Sequence, residues 1–230
     1  MKESTYDKII LNDHPVGYWP LDETSGTVAH DLSGYGNDGQ IIGGVTLGVP
    51  GPLFSGATAM AFDGSSGLVA VPYGNLVPLQ NKSCSMEIWA LATNGSFGTL
   101  VSNTNNSFAF GLSSQNDDVD GFSYPGNFVN GLFQMVRWIL SGYRILNGWH
   151  HMVMTLGPSG TPRLYADAHF IGAFPGNSAN APSPFGHFVI GANDFNASRP
   201  FNSSLAQCAA YNYALTPQQV AYRVAAATHL

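Results

Sequence analysis

Apolar residues in this chain come in short runs, each closed within a few positions by glycine, asparagine, serine or proline, and that punctuation excludes most helical architectures. Runs at 17–22, 58–62, 68–71, 84–90, 98–101 and 107–112 are strand-length and apolar or alternating. The second half repeats the habit at 149–156, 163–166, 169–172, 187–190 and 205–211. No helical pattern long enough for a crossover separates them, so a parallel sheet lacks its connections. Two antiparallel sheets packed face to face remain. The expected interior is Phe62, Val71, Ile88, Trp89, Val153, Leu164, Ile190 and Leu205.

Two segments read as helix. Ser4 offers a cap with Asp7 three positions on, followed by Ile9, Ile10 and Leu11, a short helical turn within 1–14 that ends before Pro15. At the other end Thr216, Pro217 and Gln219 form a capping box ahead of Val220, Tyr222 and Val224, predicting a helix over 216–230. Composition supports the all-β reading: 27 Gly, 14 Pro and 12% aromatics with only 10% charged residues suit many strands joined by tight turns. The 230 residues are read as a single domain.

Charge restricts the partners. With a net charge of −6 and eight Lys plus Arg scattered along the chain, nothing here neutralises a phosphate backbone, and nucleic acid is not an expected partner. The sequence also has no apolar run of membrane-spanning length, and 1–6 lacks the apolar core of a secretory signal, so neither membrane insertion nor Sec export is expected. Cys84 and Cys208 could pair, but each sits in an apolar strand-like run, where free buried thiols are the expectation.

The residues then form an ordered series: Pro15-Val-Gly-Tyr-Trp-Pro-Leu-Asp-Glu23, Ser25-Gly26, Ala29-His-Asp31, Ser33-Gly-Tyr-Gly-Asn-Asp-Gly39, Ala61-Phe-Asp-Gly64, Ser85-Met-Glu-Ile-Trp89, Trp149-His-His-Met-Val153, Leu164-Tyr-Ala-Asp167 and Ile190-Gly-Ala192. It closes on Phe201 to Thr216, with Tyr211, Asn212 and Leu215. In order and spacing this resembles the laminin G-like modules of the concanavalin A-like superfamily. The resemblance implies an antiparallel β-sandwich, a jelly roll. Most of these residues have a structural use: Trp19, Trp89 and Trp149 as core, the glycines as turns, and Asp31, Asn37, Asp38 and Asp63 as turn-forming side chains. Two departures stand out. Asp167-Ala168 replaces the Asp-Gly usual at that hairpin, and Ala206 and Gln207 replace an acidic pair that often helps relatives hold calcium.

Some members of the superfamily hydrolyse glucans, a chemistry that needs two carboxylates flanking the bond. This chain has three glutamates, Glu3, Glu23 and Glu87, and no second acid follows Glu87 at i+2 or i+4 on its strand face. No nucleophile elbow, His-Glu-x-x-His or Cys-x-x-Cys is present, and His150 and His151 are neighbours on a strand, pointing to opposite faces. An enzyme is not expected.

Two features point to a ligand. Asn116, Asp118 and Asp120 precede Gly121 with the alternation of a calcium loop, although the twelfth position is Asn127 and not a bidentate glutamate; an Asp-rich turn is the competing reading, and calcium is the only cofactor in question. Residues 113–148 lack clear strand patterning and gather Phe122, Tyr124, Asn127, Phe128, Trp138 and Tyr143. Rings stack on sugar C–H faces while amides orient hydroxyls, so a carbohydrate-binding loop is expected there, with packing under a long loop as the alternative.

The short N-terminal helix, the low lysine content and the Tyr-Asn-Tyr-Ala-Leu-Thr-Pro-Gln-Gln ending at 211–219 resemble such modules in bacteriophage virion proteins. That resemblance implies a protein of the virion surface made in the host cytoplasm, with extracellular placement by a non-Sec route as the alternative. Its partner is then a glycan or a virion or host surface protein, and a homo-oligomer is compatible. A purely structural decoration role is the second reading, and it requires a large exposed apolar patch.

Overall fold

The computed structural model describes residues 4–52, 56–72, 83–93, 95–103, 108–113, 118–123, 128–129, 132–133, 136–144, 147–158, 162–173, 188–194 and 196–229. Helix α1 is Thr5–Asn12, and the strands that follow are β1 (Gly17–Trp19), β2 (Val28–Ala29), β3 (Gly39–Ile42), β4 (Val45–Pro50), β5 (Thr58–Phe62) and β6 (Leu68–Val71). Next come β7 (Cys84–Ala92), β8 (Gly98–Asn103), β9 (Phe108–Ser113), β10 (Asp118–Ser123), β11 (Phe128–Val129), β12 (Leu132–Phe133) and β13 (Val136–Arg144). The chain continues through β14 (Gly148–Leu156), β15 (Pro162–Ala166), β16 (His169–Ala173), β17 (Phe188–Ile190) and β18 (Ser204–Tyr211) to helix α2 (Pro217–His229).

Among the described residues the first sheet runs β16-β15-β14-β7-β18-β5-β4, with β1 beside β18, and the second runs β13-β10-β9-β8-β17-β6-β3-β2; β11 and β12 pair with each other. Every pairing is antiparallel. Strand alternation explains the layers. On β7, Met86, Ile88 and Ala90 point between the sheets, where they meet Phe62, Val71, Leu164, Ile190 and Leu205. Trp19 fills the same layer, its ring stacked on Phe188 with centroids 5.0 Å apart, and its indole N–H donates to the Asn37 carbonyl at 2.8 Å.

The first sheet is covered on its other face as well. Trp89 and Val153, expected in the interior, are buried there and not between the sheets: they pack with Tyr18, Tyr165 and Tyr211 beneath Tyr6 and Ile10 of α1 and Val220 of α2. This is why β7 reads as apolar almost throughout instead of alternating with polar residues. Helix α1 is longer than a single turn and carries the full reciprocal cap between Ser4 and Asp7. Helix α2 begins as read: Gln219 N donates to Thr216 Oγ1 (3.2 Å), and Thr216 N donates to Gln219 Oε1 (2.9 Å). Among the described residues, no helix is long and apolar enough to cross a membrane.

Turn chemistry follows the aspartates. Asp31 accepts from the backbone N–H of Tyr18 (2.9 Å), Ser33 (2.9 Å) and Asn37 (2.8 Å), and Asp63 from those of Ser65 (2.9 Å), Ser66 (2.8 Å) and Gly67 (2.9 Å). The donors at Ser66 and Gly67 hold the Asp63 carboxyl well below the usual range. At the Asp167-Ala168 hairpin both residues have positive φ, +48° and +65°, which is a type I′ turn with alanine where glycine is easier. The strain is offset locally, because Asp167 accepts from His151 N at 2.9 Å and lies 2.6 Å from His150 Nδ1. Cys84 and Cys208 are free and buried, and burial pushes the Cys84 thiol up to about 12.

The stretch 113–148, expected to be a long loop, is corrected. Asp118–Ser123 and Val136–Arg144 are strands that extend the second sheet beyond Phe108–Ser113 to its edge, with Gly121 opposite both Phe110 and Trp138. The sequence there mixes Gly, Asp and Ser among its aromatics, so neither face offers the continuous apolar row by which strands are recognised.

Candidate functional site

Glu87 is the acid that a glucan-cleaving reading would examine first, and the fold disposes of it. It projects from β7 beneath the helices and is 0% exposed. Arg223 Nε of α2 lies 2.7 Å from Oε2, and His151 Nε2 lies 3.0 Å from the same oxygen; the Tyr211 hydroxyl donates to Oε1. Arg223 extends the network to Asp13 Oδ2 at the end of α1 (2.9 Å), the Gln219 carbonyl (2.9 Å) and the Tyr211 hydroxyl (3.0 Å). Nearby, the Trp89 indole donates to Tyr6 at 2.8 Å, and the Tyr18 hydroxyl donates to Asp7 at 2.6 Å. Burial alone would raise the Glu87 pKa, but the Arg223 charge and the His151 hydrogen bond outweigh it and hold the carboxyl at about 2. A carboxylate so enclosed ties both helices to the sheet and has no access to a substrate.

Of the sequence-derived site residues, those on β10 and β13 fall on the far edge of the second sheet, and the one on β11 falls in the separate β11–β12 pair. Phe122 lies on β10, Phe128 on β11, and Trp138 and Tyr143 on β13; Tyr124 and Asn127 lie outside the described residues. Trp138 pairs with Gly121, and the neighbouring pair is Phe122–Arg137, so strand alternation assigns Trp138 and Phe122 to opposite faces of the sheet, and the register does not bring these two candidates together. Of the calcium candidates, Asn116 lies outside the described residues. Asp118 and Asp120 belong to β10, and Gly121, the residue that would turn a calcium loop, sits within the strand. Gln207, in the place of an acid in relatives, has φ +55° at a bulge of β18, and its side-chain oxygen meets the Tyr18 hydroxyl. Among the described residues no three His, Cys, Asp or Glu side chains converge on a metal position.

One group of side chains beside that edge was not singled out in the sequence. The backbone of β13 comes within 8 Å of β16. The β15–β16 hairpin there presents Phe170, 54% exposed, with the Tyr165 ring centroid 5.6 Å away and the Arg163 Cζ 5.7 Å from its own centroid. Phe170 reads in the sequence as one more strand aromatic. Only the pairing of Tyr165 with Phe170, across a bulge at Leu164/Tyr165, brings the two rings and Arg163 together.

The family profile described as Laminin_G_3, concanavalin A-like lectin/glucanases superfamily, matches residues 63–221. No curated protein matches the sequence. Among solved structures, the chain is similar to the binding domain of botulinum neurotoxin DC in complex with rat synaptotagmin II (15% identity, TM-score 0.67, covering 95% of this chain and 53% of that one). It is similar also to the same binding domain in complex with SialylT (14% identity, TM-score 0.66, 95% and 53%). A third match is the receptor binding domain of the C/D mosaic serotype (12% identity, TM-score 0.60, 93% and 51%). The chain thus spans about half the length of these domains, and at such identities the likeness is one of fold.

Proposed function

Because the chain belongs to the concanavalin A-like lectin/glucanases superfamily, we propose that it is a non-catalytic, lectin-like module that binds carbohydrate. The site is the edge where β13 of one sheet, next to β10, approaches β16 of the other. The observation that carries this reading is the enclosure of Glu87: the acid of the central strand is spent on holding α2. The rings at the β13–β16 edge, by contrast, include one that is open to solvent. Neighbours of the same fold that are described in complex with rat synaptotagmin II and with SialylT support a binding role for such a scaffold.

The virion-surface placement belongs to the same proposal and rests on the sequence resemblance; a virion or host surface protein is the alternative partner. A decoration module needs a large apolar patch to contact its neighbours. Among the described residues the large exposed apolar side chains are Tyr35, Ile42, Phe170 and Tyr222.

A glycan array read beside a reducing-sugar assay tests this, with Tyr124→Ala and Trp138→Ala as variants. Binding that both substitutions weaken while the melting curves hold is the expected result. Sugar release overturns the non-catalytic claim, and an empty array with tight self-association transfers the function to the structural role.

A further inference from the structure

Two arginines of the first sheet's outer layer are used in opposite ways. Arg223 is fully buried and its guanidinium is engaged by Glu87, Asp13, Tyr211 and the Gln219 carbonyl. Arg163, on β15, is exposed; its guanidinium lies over the face of Phe170, and no described oxygen accepts a hydrogen bond from that guanidinium. A guanidinium carries five N–H donors in a rigid plane, and stacking over a ring fixes that plane without using any of them. A long side chain with nothing to hold ordinarily moves freely through solvent; this one is held ready.

We propose that Arg163 and Phe170 form a subsite for a sugar bearing a carboxylate, a uronic or sialic acid residue. This rests on the carbohydrate-binding reading and names the ligand class. The planar carboxylate matches the guanidinium fork with two parallel charge-assisted hydrogen bonds, which a neutral hydroxyl cannot reproduce. The open part of the Phe170 ring takes the C–H face of the same sugar or its neighbour, and Tyr165 backs the ring from the sheet side. The position suits a terminal or branching residue, because the hairpin stands at the end of its sheet, beside β13. The chain's net charge of −6 works against anions at a distance, so a preference for an acidic sugar has to come from a local contact of this kind.

The test uses the full chain and an array holding matched neutral, uronic, sialylated and sulfated glycans. The best acidic ligand is then titrated beside its methyl ester, for wild type, Arg163→Gln and Phe170→Ala. Wild type is expected to bind the free acid 10- to 100-fold more tightly than the ester, about the range of a charge-assisted pair. Arg163→Gln should erase that ratio, weakening the acid far more than the ester, and Phe170→Ala should weaken acid and ester alike. Both variants should melt within a few degrees of wild type, since both side chains are exposed. Neutral glycans bound without any effect of Arg163→Gln would overturn the subsite and leave the lectin-like reading standing. Preference for sulfate over carboxylate overturns the planar-fork argument, and an array empty of all four classes removes both proposals. If Arg163→Gln lowers stability and leaves the acid-to-ester ratio intact, Arg163 merely shields Phe170 and the proposal fails.

Discussion

Replacing Arg223 by alanine should be among the most damaging single changes in the molecule, and the damage should depend on pH in a reversed sense. The substitution strands Glu87 in a wholly buried position with only His151 and Tyr211 for company. Breaking one side of a buried pair destabilises by about 3–5 kcal/mol. In the wild type, the Glu87 carboxyl is depressed from 4.5 to about 2 in the folded state. Its contribution is therefore complete above the unfolded value and disappears as pH falls through the folded one, and the shift corresponds to on the order of 3 kcal/mol. Wild-type stability should decline as the pH is lowered from 5 towards 2. In Arg223→Ala the sign changes: burial now dominates, the folded pKa lies above the unfolded one, and lowering the pH from 7 to 4 should recover stability. Urea unfolding at pH 7, 5.5 and 4, with the slope of the transition checked for constancy, measures both effects. The double variant Glu87→Leu/Arg223→Met should recover most of the loss, because removing both charges removes the stranded one. A loss below about 1 kcal/mol, the range of an exposed pair, would refute the reasoning, as would single losses that simply add in the double variant.

Other expectations follow from the turns and caps. Ala168→Gly should raise stability by about 0.5–1 kcal/mol by relieving the left-handed alanine, while Ala168→Val should lower it; both are read from denaturation midpoints. Thr216→Ala should cost about 1 kcal/mol through loss of the α2 cap, with a fall in helical circular dichroism as the accompanying sign. A chelator should leave the melting temperature unchanged, since β10 runs as a strand through Asp118 and Asp120; a clear drop would restore a native-state cation.

The sandwich was legible in the sequence because strand-length apolar runs and turn residues recur from end to end, and the residues chosen as interior are buried without exception. What the pattern did not reveal was which layer each residue occupies. Trp89 and Val153 look like inter-sheet core, but they lie under the helices, because a strand covered on both faces loses its alternation. Residues 113–148 read as loop for the converse reason: strands rich in glycine and aspartate lack an apolar row, and their pairing depends on partners elsewhere in the sequence. Glu87 stands without a partner acid on its strand face, and that much the sequence displays. Its actual use required Arg223, 136 residues away, which no local motif announces. Arg163 and Phe170 escaped notice because they lie seven positions apart in sequence and a bulged hairpin joins them in space.

The central claim, binding without turnover at the β13–β16 edge, is tested most directly by mass spectrometry of the glycan itself. The protein is incubated overnight with the oligosaccharide it binds best, the complex is isolated, and the sugar is released and weighed. The account predicts an intact glycan retained by the wild type, with much less retained by Phe170→Ala at an unchanged melting temperature. Recovery of shortened glycan, or equal retention by the variant, would contradict it.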